Sequence, residues 1–221
     1  MAPRQSSAEP EAVSRHEPPR SARGARTRAS LIAASRVVFE RDGFIDARLV
    51  DITAEAGVAI GSFYHYFSSK EEIFMALLET VKEEMLHPHV RQVFAGEDPA
   101  VVIEASNRVY LSAYQRNFKL MRLLEQVATI DEGVRKFRHE SDAAFAERNG
   151  RCIRDLQERG LADHSLDPLL AAAALSGMVC RMAYSTYVLG DDWDFEELVA
   201  TITTLWLNAL RISPAGGPAR P

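Results

Sequence analysis

Arg48-Leu-Val-Asp-Ile-Thr-Ala-Glu-Ala-Gly-Val-Ala-Ile-Gly-Ser-Phe-Tyr-His-Tyr-Phe-Ser-Ser-Lys70 reads as two short helices around a tight turn, followed by the capped start of a third. Ile52 and Ala56 form an apolar stripe at helical spacing. Gly57 supplies the positive φ that a sharp helix end requires. Val58 plugs the turn. Ile60, Phe63 and Phe67 share one inward face. Ala59, Ser62, Tyr64, His65 and Tyr66 spread over the other sides, where small and hydrogen-bonding residues let a partner come close. No Asp or Glu stands between Gly57 and Lys70, although the chain has a formal net charge of −5. A polyanion is repelled by most of such a surface and tolerated here. Ser68-Ser69-Lys70-Glu71-Glu72 is a capping box under either register.

This arrangement predicts a helix-turn-helix whose second helix enters the major groove. The side chains free to meet base edges are Ala59, Gly61, Ser62, Tyr64 and His65. The pattern Asp51-Ile52, Ala56-Gly57-Val58, Gly61-Ser62-Phe63-Tyr64-His65-Tyr66-Phe67 and Lys70-Glu71-Glu72 resembles the DNA-binding domain of the TetR family of bacterial regulators. The resemblance covers roughly residues 26–86. It implies base and phosphate contacts from the same short helix, with phosphate contacts by Tyr66 or Tyr64 and by Lys70. Arg48 stands where the family more often has Thr or Ser; an Arg there still reaches a phosphate, but the capping contact does not carry over. Ile60 stands where Lys or Arg is frequent, so one charge contact is missing.

Composition sets the wider frame. A chain of 221 residues with 47% hydrophobic residues can bury a core and make one large domain or two small ones. No run of eighteen consecutive apolar residues suggests a membrane span. The N-terminus has arginines but no apolar region of the secretory kind. Cys152 and Cys180 do not make a disulfide framework, so free thiols and a cytoplasmic location are expected.

Four segments follow from the punctuation. Residues 1–25, rich in Pro, Ser and Arg, are a disordered arm. Its downstream arginines, Arg20, Arg23, Arg26 and Arg28, read either as a solvated tail or as an arm on phosphates or in the minor groove. Residues 26–86 form the helix-turn-helix domain. Thr27 is its first N-cap, Leu31, Ser35, Val38 and Phe39 face inward, Gly43 ends the helix and Asp46 caps the next. Lys70 to Met85 forms a helix of roughly 25 Å. Residues 87–212 are a helical effector-binding and dimerisation domain, and 213–221 a disordered tail. Within it, caps at Asp98-Pro99, Asp131, Asp167-Pro168 and Asp194 start helices. A short apolar helix spans Phe118–Ala128. Leu169–Leu189 is apolar nearly all round and reads as buried on several sides. With no sustained strand alternation, the fold is all-α.

The expected function is sequence-specific regulation of transcription. Reading a palindrome requires a two-fold dimer with recognition helices about 34–36 Å apart. The small residues Ala173 and Gly177 and the stripe Leu198, Ile202, Leu205 and Trp206 are the candidate homodimer interface, as the resemblance also implies. It implies too a ligand pocket in the middle helices. Phe74, Leu78, Met121, Leu124, Phe145, Cys152, Met178, Met182 and Tyr187 are its apolar candidates, with Arg148 and Arg181 at a polar end. A small, largely apolar ligand bound there would release a repressor from its operator. The alternatives are a ligand-independent activator or architectural protein, and an enzyme. No GxSxG, HExxH, phosphate-cradling loop or CxxC supports the last, and no cofactor is expected. His87-Pro88-His89 lacks further ligands for a metal.

Overall fold

The computed structural model describes residues 21–86 and 98–212. These form eight α-helices: α1 (Ala22–Asp46), α2 (Leu49–Glu55), α3 (Ile60–Phe63), α4 (Lys70–Leu86), α5 (Pro99–Ala128), α6 (Glu132–Glu158), α7 (Pro168–Tyr184) and α8 (Phe195–Leu210). A single π-helical segment, Ser185–Leu189, prolongs α7. No strand occurs among the described residues.

Helices α1 to α4 make the head. The N-cap of α1 is Ser21, whose hydroxyl accepts from the Gly24 amide at 3.1 Å. Thr27, expected in that role, lies inside the helix and donates its hydroxyl to the Arg23 carbonyl. The helix therefore claims the end of the predicted arm; the arm's first twenty residues lie outside the described region. Leu31, Ser35, Val38 and Phe39 are fully buried, as their spacing predicts. Gly43 breaks α1 with φ 79° and ψ 174°, a conformation that costs an L side chain dearly. The break drops Phe44 into the core, with its ring centroid 5.7 Å from Phe39 and 4.9 Å from Phe74. Phe39 and Phe74 meet edge to face at 5.1 Å, the geometry favoured by the ring quadrupoles. Phe74 and Leu78 thus belong to the head core and not to a ligand pocket. Asp46 ends α1 and caps nothing; α2 opens at Arg48 with no side-chain cap.

The capping box before α4 forms. The Ser69 hydroxyl accepts from the Glu72 amide at 3.2 Å, and the Glu72 carboxylate reaches back to the Ser68 amide at 2.6 Å. Two orphan donors at the helix start are thereby satisfied.

The second half is built on α5. The expected break before Phe118 is absent: α5 runs thirty residues without interruption, roughly 45 Å. Nothing between Ala100 and Ala128 is Gly or Pro. Its buried register is Ile103, Asn107, Leu111, Tyr114, Asn117 and Leu120. The two asparagines hide this stripe from a hydrophobicity pattern. Both are hydrogen-bonded, Asn107 to the Thr203 hydroxyl of α8 at 3.2 Å and Asn117 to the Ala113 carbonyl at 2.9 Å, as buried amides must be. Beside Asn117, Arg36 of α1 donates to the Arg116 carbonyl at 3.3 Å, tying the head to α5.

Helices α6 and α7 form an antiparallel hairpin, which Gly160 opens at φ 69°. Gly150 lets them close: a Cβ there would lie 3.4 Å from both the Leu169 Cα and the Pro168 carbonyl oxygen. Asn149 donates to the Ser176 hydroxyl across the same contact at 2.9 Å. The expectation that α7 is buried on several sides fails within one chain. Only Ala172, Val179 and Ala183 of α7 are buried, and Leu170 is 71% exposed. The continuous segment Pro168–Leu189 has a mean hydropathy of 1.2, long and apolar enough by length and composition to cross a membrane. Arg181 interrupts it, and α6 packs along it.

Candidate functional site

Two surfaces carry chemistry. The first is the outer face of the head. Gly57 adopts φ 66° and turns the chain between α2 and α3. The Val58 amide closes the turn on the Thr53 carbonyl at 3.0 Å. Helix α3 is four residues long and continues as a tight turn through Tyr66, with the Tyr66 amide on the Phe63 carbonyl at 2.9 Å. Phe63 and Phe67 anchor it in the core. Ala59, Gly61, Tyr64 and His65 are exposed, and Ser62 is half-buried. Tyr64 stands 55% exposed, with its ring edge-on to Phe63. Tyr66 is half-buried against the core.

Ile60 departs from its expected place. It is 41% exposed, because α3 is too short to carry three residues of one stripe inward. An apolar side chain thus stands on the outer face. Lys70 and Arg48 are also committed within the protein. The Lys70 ammonium donates to the Ile45 and Ala47 carbonyls at 2.9 and 3.2 Å and sits 4.8 Å from the centroid of the Phe44 ring. Arg48 makes a bidentate pair with Asp51 at 2.7 and 2.9 Å. That guanidinium holds the Asp51 carboxyl below its ordinary range. Arg28 lies 5.1 Å from the centroid of the Phe67 ring, while Arg23 and Arg26 are exposed.

The second surface is a cavity of about 1120 Å³ lined by α5, α6, α7 and α8, open to solvent at exposed residues such as Cys152, Ala173, Gly177 and Arg181. Phe145, Arg148, Cys152 and Arg181 line it, as do Ala173 and Gly177. Met121, Leu124, Met178, Met182 and Tyr187 do not; they pack in or against the core. The wall also includes Tyr110, Arg138, Asp142, Asn149, Cys180 and Trp206, which sequence reasoning missed. Polar side chains that line a cavity have the same periodicity as those that point at bulk solvent. The Tyr110–Phe145 edge contact at 5.6 Å was equally invisible.

Burial governs the electrostatics of this wall. It pushes the Tyr110 phenol well above its ordinary value and the Cys180 thiol up with it. It also raises the Asp142 carboxyl, which the Arg138 guanidinium opposes and Glu125 reinforces. It lowers Arg148, which lacks a carboxylate to offset its desolvation. The Trp206 indole N–H is buried without a partner, although such groups are normally satisfied.

Of the expected dimer residues, Leu198, Ile202 and Trp206 are buried in this chain's own core. They lie on the face of α8 that packs against α5. Leu205 is 45% exposed, and Ala173 and Gly177 are uncovered. Among the described residues, no three His, Cys, Asp or Glu side chains converge to hold a metal. His87 and His89 lie outside them.

Comparison with known proteins agrees with this geometry. The family model for bacterial regulatory proteins of the tetR family matches residues 31–77. The transcriptional regulator TtgR of Pseudomonas putida is 26% identical over 200 residues, covering 86% of this chain and 93% of TtgR. Two solved structures share the fold. SmeT, the repressor of the Stenotrophomonas maltophilia multidrug efflux pump SmeDEF, has a TM-score of 0.69 at 20% identity, covering 88% of this chain and 96% of SmeT. The fatty acid degradation regulator FadR from Bacillus halodurans has a TM-score of 0.71 at 20% identity, covering 85% of this chain and 97% of FadR. With its helix-turn-helix head on a helical second domain, the chain belongs to the TetR family of DNA-binding transcriptional regulators.

Proposed function

We propose that this protein is a homodimeric repressor that binds a palindromic operator and is released by a small, largely apolar ligand in the cavity. One observation carries the coupling. Helix α4 begins beside the DNA-facing turn at Lys70 and ends against the cavity wall, where Arg148 donates to the Leu86 carbonyl at 2.7 Å. A ligand that changes this wall acts on the element that positions the head. Ala59, Gly61, Ser62, Tyr64 and His65 meet the bases, and Tyr64 or Tyr66 a phosphate. Lys70 acts by positioning, its ammonium held on the Ile45 and Ala47 carbonyls. The uncovered Leu170, Ala174 and Gly177 of α7 and Leu205 of α8 form the two-fold contact. The protein acts in the cytoplasm, where its DNA is.

Support comes from the relatives. SmeT represses a multidrug efflux pump and FadR regulates fatty acid degradation. Both names suit a cavity that admits apolar molecules. The test is a gel shift with DNA from upstream of the protein's own coding region. It is paired with light scattering and with mass spectrometry of small molecules that copurify. A dimer that binds this DNA and loses it to the copurified compound is the expected result. A monomer, or DNA binding that no such compound alters, overturns the reading.

A further inference from the structure

The cavity wall carries positive charge that the protein leaves unanswered. Arg138, Arg148, Arg151, Arg159 and Arg181 all line it. Arg138 is paired with Glu125 at 2.7 Å and Arg159 with Asp155 at 3.1 Å. Among the described residues, Arg148, Arg151 and Arg181 have no ion-pair partner. The remaining carboxylate on the wall is Asp142, an exposed residue whose carboxyl is shifted by local desolvation toward its neutral form.

Arg148 is the most constrained of the three cations. It is half-buried, with its guanidinium 5.5 Å from the centroid of the Phe145 ring. Its Nη1 donates to the Leu86 carbonyl at 2.7 Å, while Nε and Nη2 reach the Asn149 side-chain oxygen only at 3.3 Å each. All these acceptors are neutral. A guanidinium has five N–H donors in a planar fork that matches a carboxylate bidentately. Charge-assisted pairs of that kind are shorter and about twice as strong as bonds to neutral acceptors. An anion inside the cavity therefore outcompetes a backbone carbonyl for this group. The Trp206 indole N–H, buried and unpartnered on the same wall, offers a further donor to a ligand oxygen. Phe145, Ile153, Leu156 and Val179 supply apolar wall for a tail.

We propose that the cavity takes an amphipathic anion, a carboxylate on an apolar tail, and that Arg148 receives the head group by exchanging the Leu86 carbonyl for the ligand's oxygens. The exchange frees the last carbonyls of α4 from their tie to α6. This rests on the assignment of the cavity as the effector site.

The test is isothermal titration calorimetry of the full chain with decanoate, decanol and decyltrimethylammonium, which share a tail and differ in the head. The wild-type protein binds decanoate at least tenfold tighter than decanol, and the ammonium most weakly. Arg148→Met weakens decanoate at least tenfold and leaves decanol within threefold; Arg148→Lys falls between. Decanol binding also reports that the Met variant is folded; should that variant not fold, the wild-type ranking and Arg148→Lys decide. Equal binding of decanoate and decanol, unchanged decanoate affinity in Arg148→Met, preference for the ammonium, or no binding of any probe overturns the proposal. A gel shift separates this from the repressor reading. Arg148-dependent decanoate binding without DNA release sinks only the repressor. DNA release by a ligand that binds Arg148→Met unchanged sinks only the anion receptor.

Discussion

The Lys70 ammonium donates to the Ile45 carbonyl at 2.9 Å, closing the last turn of α1, beyond the Gly43 kink, onto the first residue of α4. A second bond to Ala47 and the nearby Phe44 ring complete the clasp. The lysine that family resemblance assigns to a phosphate is therefore part of what holds the head together. Lys70→Ala should lower unfolding free energy by about 1–2 kcal/mol, since two hydrogen bonds from a charged donor are lost at a half-buried site. DNA affinity should fall with the salt dependence of binding nearly unchanged. Urea denaturation and anisotropy titrations across ionic strength measure both. Unchanged stability with a salt slope reduced by about one would return Lys70 to a purely phosphate role.

Tyr64 and His65 behave in the opposite way. Both project from the head and pack little of their surface. Tyr64→Ala and His65→Ala should leave stability within about 0.5 kcal/mol, as surface substitutions do. Each should weaken operator binding at least several-fold. Full affinity in gel shifts would move the docking face elsewhere.

Phe74 separates core from cavity. It is fully buried against Phe39 and Phe44. Phe74→Ala should cost about 3–5 kcal/mol, the usual price of emptying an aromatic site. The loss should appear in thermal unfolding without any ligand. A variant of normal stability that fails only to bind decanol would place Phe74 in the pocket after all.

The proposed two-fold contact is tested away from the cavity. Leu170 and Leu205 are exposed and lie outside the cavity lining. Leu170→Glu and Leu205→Glu should halve the mass seen by light scattering and preserve helical circular dichroism. Charge repulsion across a two-fold axis is applied by both copies at once. An unchanged mass with both substitutions combined would exclude this face.

Asp142 gives a pH dependence of known sign. Burial raises its folded-state pKa above the ordinary value of 3.8, against the pull of Arg138 and His139 and with that of Glu125. The folded chain holds this proton more tightly than the unfolded one. Stability is therefore lost as pH rises from the ordinary carboxylate value through the raised one. Asp142→Asn should be more stable than the wild type at pH 7, with the gap closing as pH falls toward 4. Melting curves at both pH values check this; a gap that widens in acid would contradict it.

The head was legible because its residues are local punctuation. Gly43, Gly57 and the Ser69–Glu72 cap each act within a few residues, and their neighbours on the chain announce them. The second domain was less legible because its decisive partners lie far apart. Asn107 pairs with Thr203, and Arg148 with Leu86, and no periodicity connects them. The stripe Leu198, Ile202 and Trp206 was read correctly as one face of a helix and assigned to the wrong neighbour: a buried stripe does not say whose core it fills. Ile60 failed for a different reason. Its spacing suits an inward face, but α3 ends before a full stripe can turn in.

The uninterrupted α5 also limits how the molecule can move. Arg36 leans on it at Arg116 and Thr203 at Asn107, both near its middle, so both halves are seated on one helix with no Gly or Pro between the two contacts. On the proposed coupling, the head would rock about its seat on that helix and not drift away from it. A swing of this kind is a rotation about a nearly stationary pivot. On that proposal, a small displacement at the far end of α4 would become a larger arc at Tyr64.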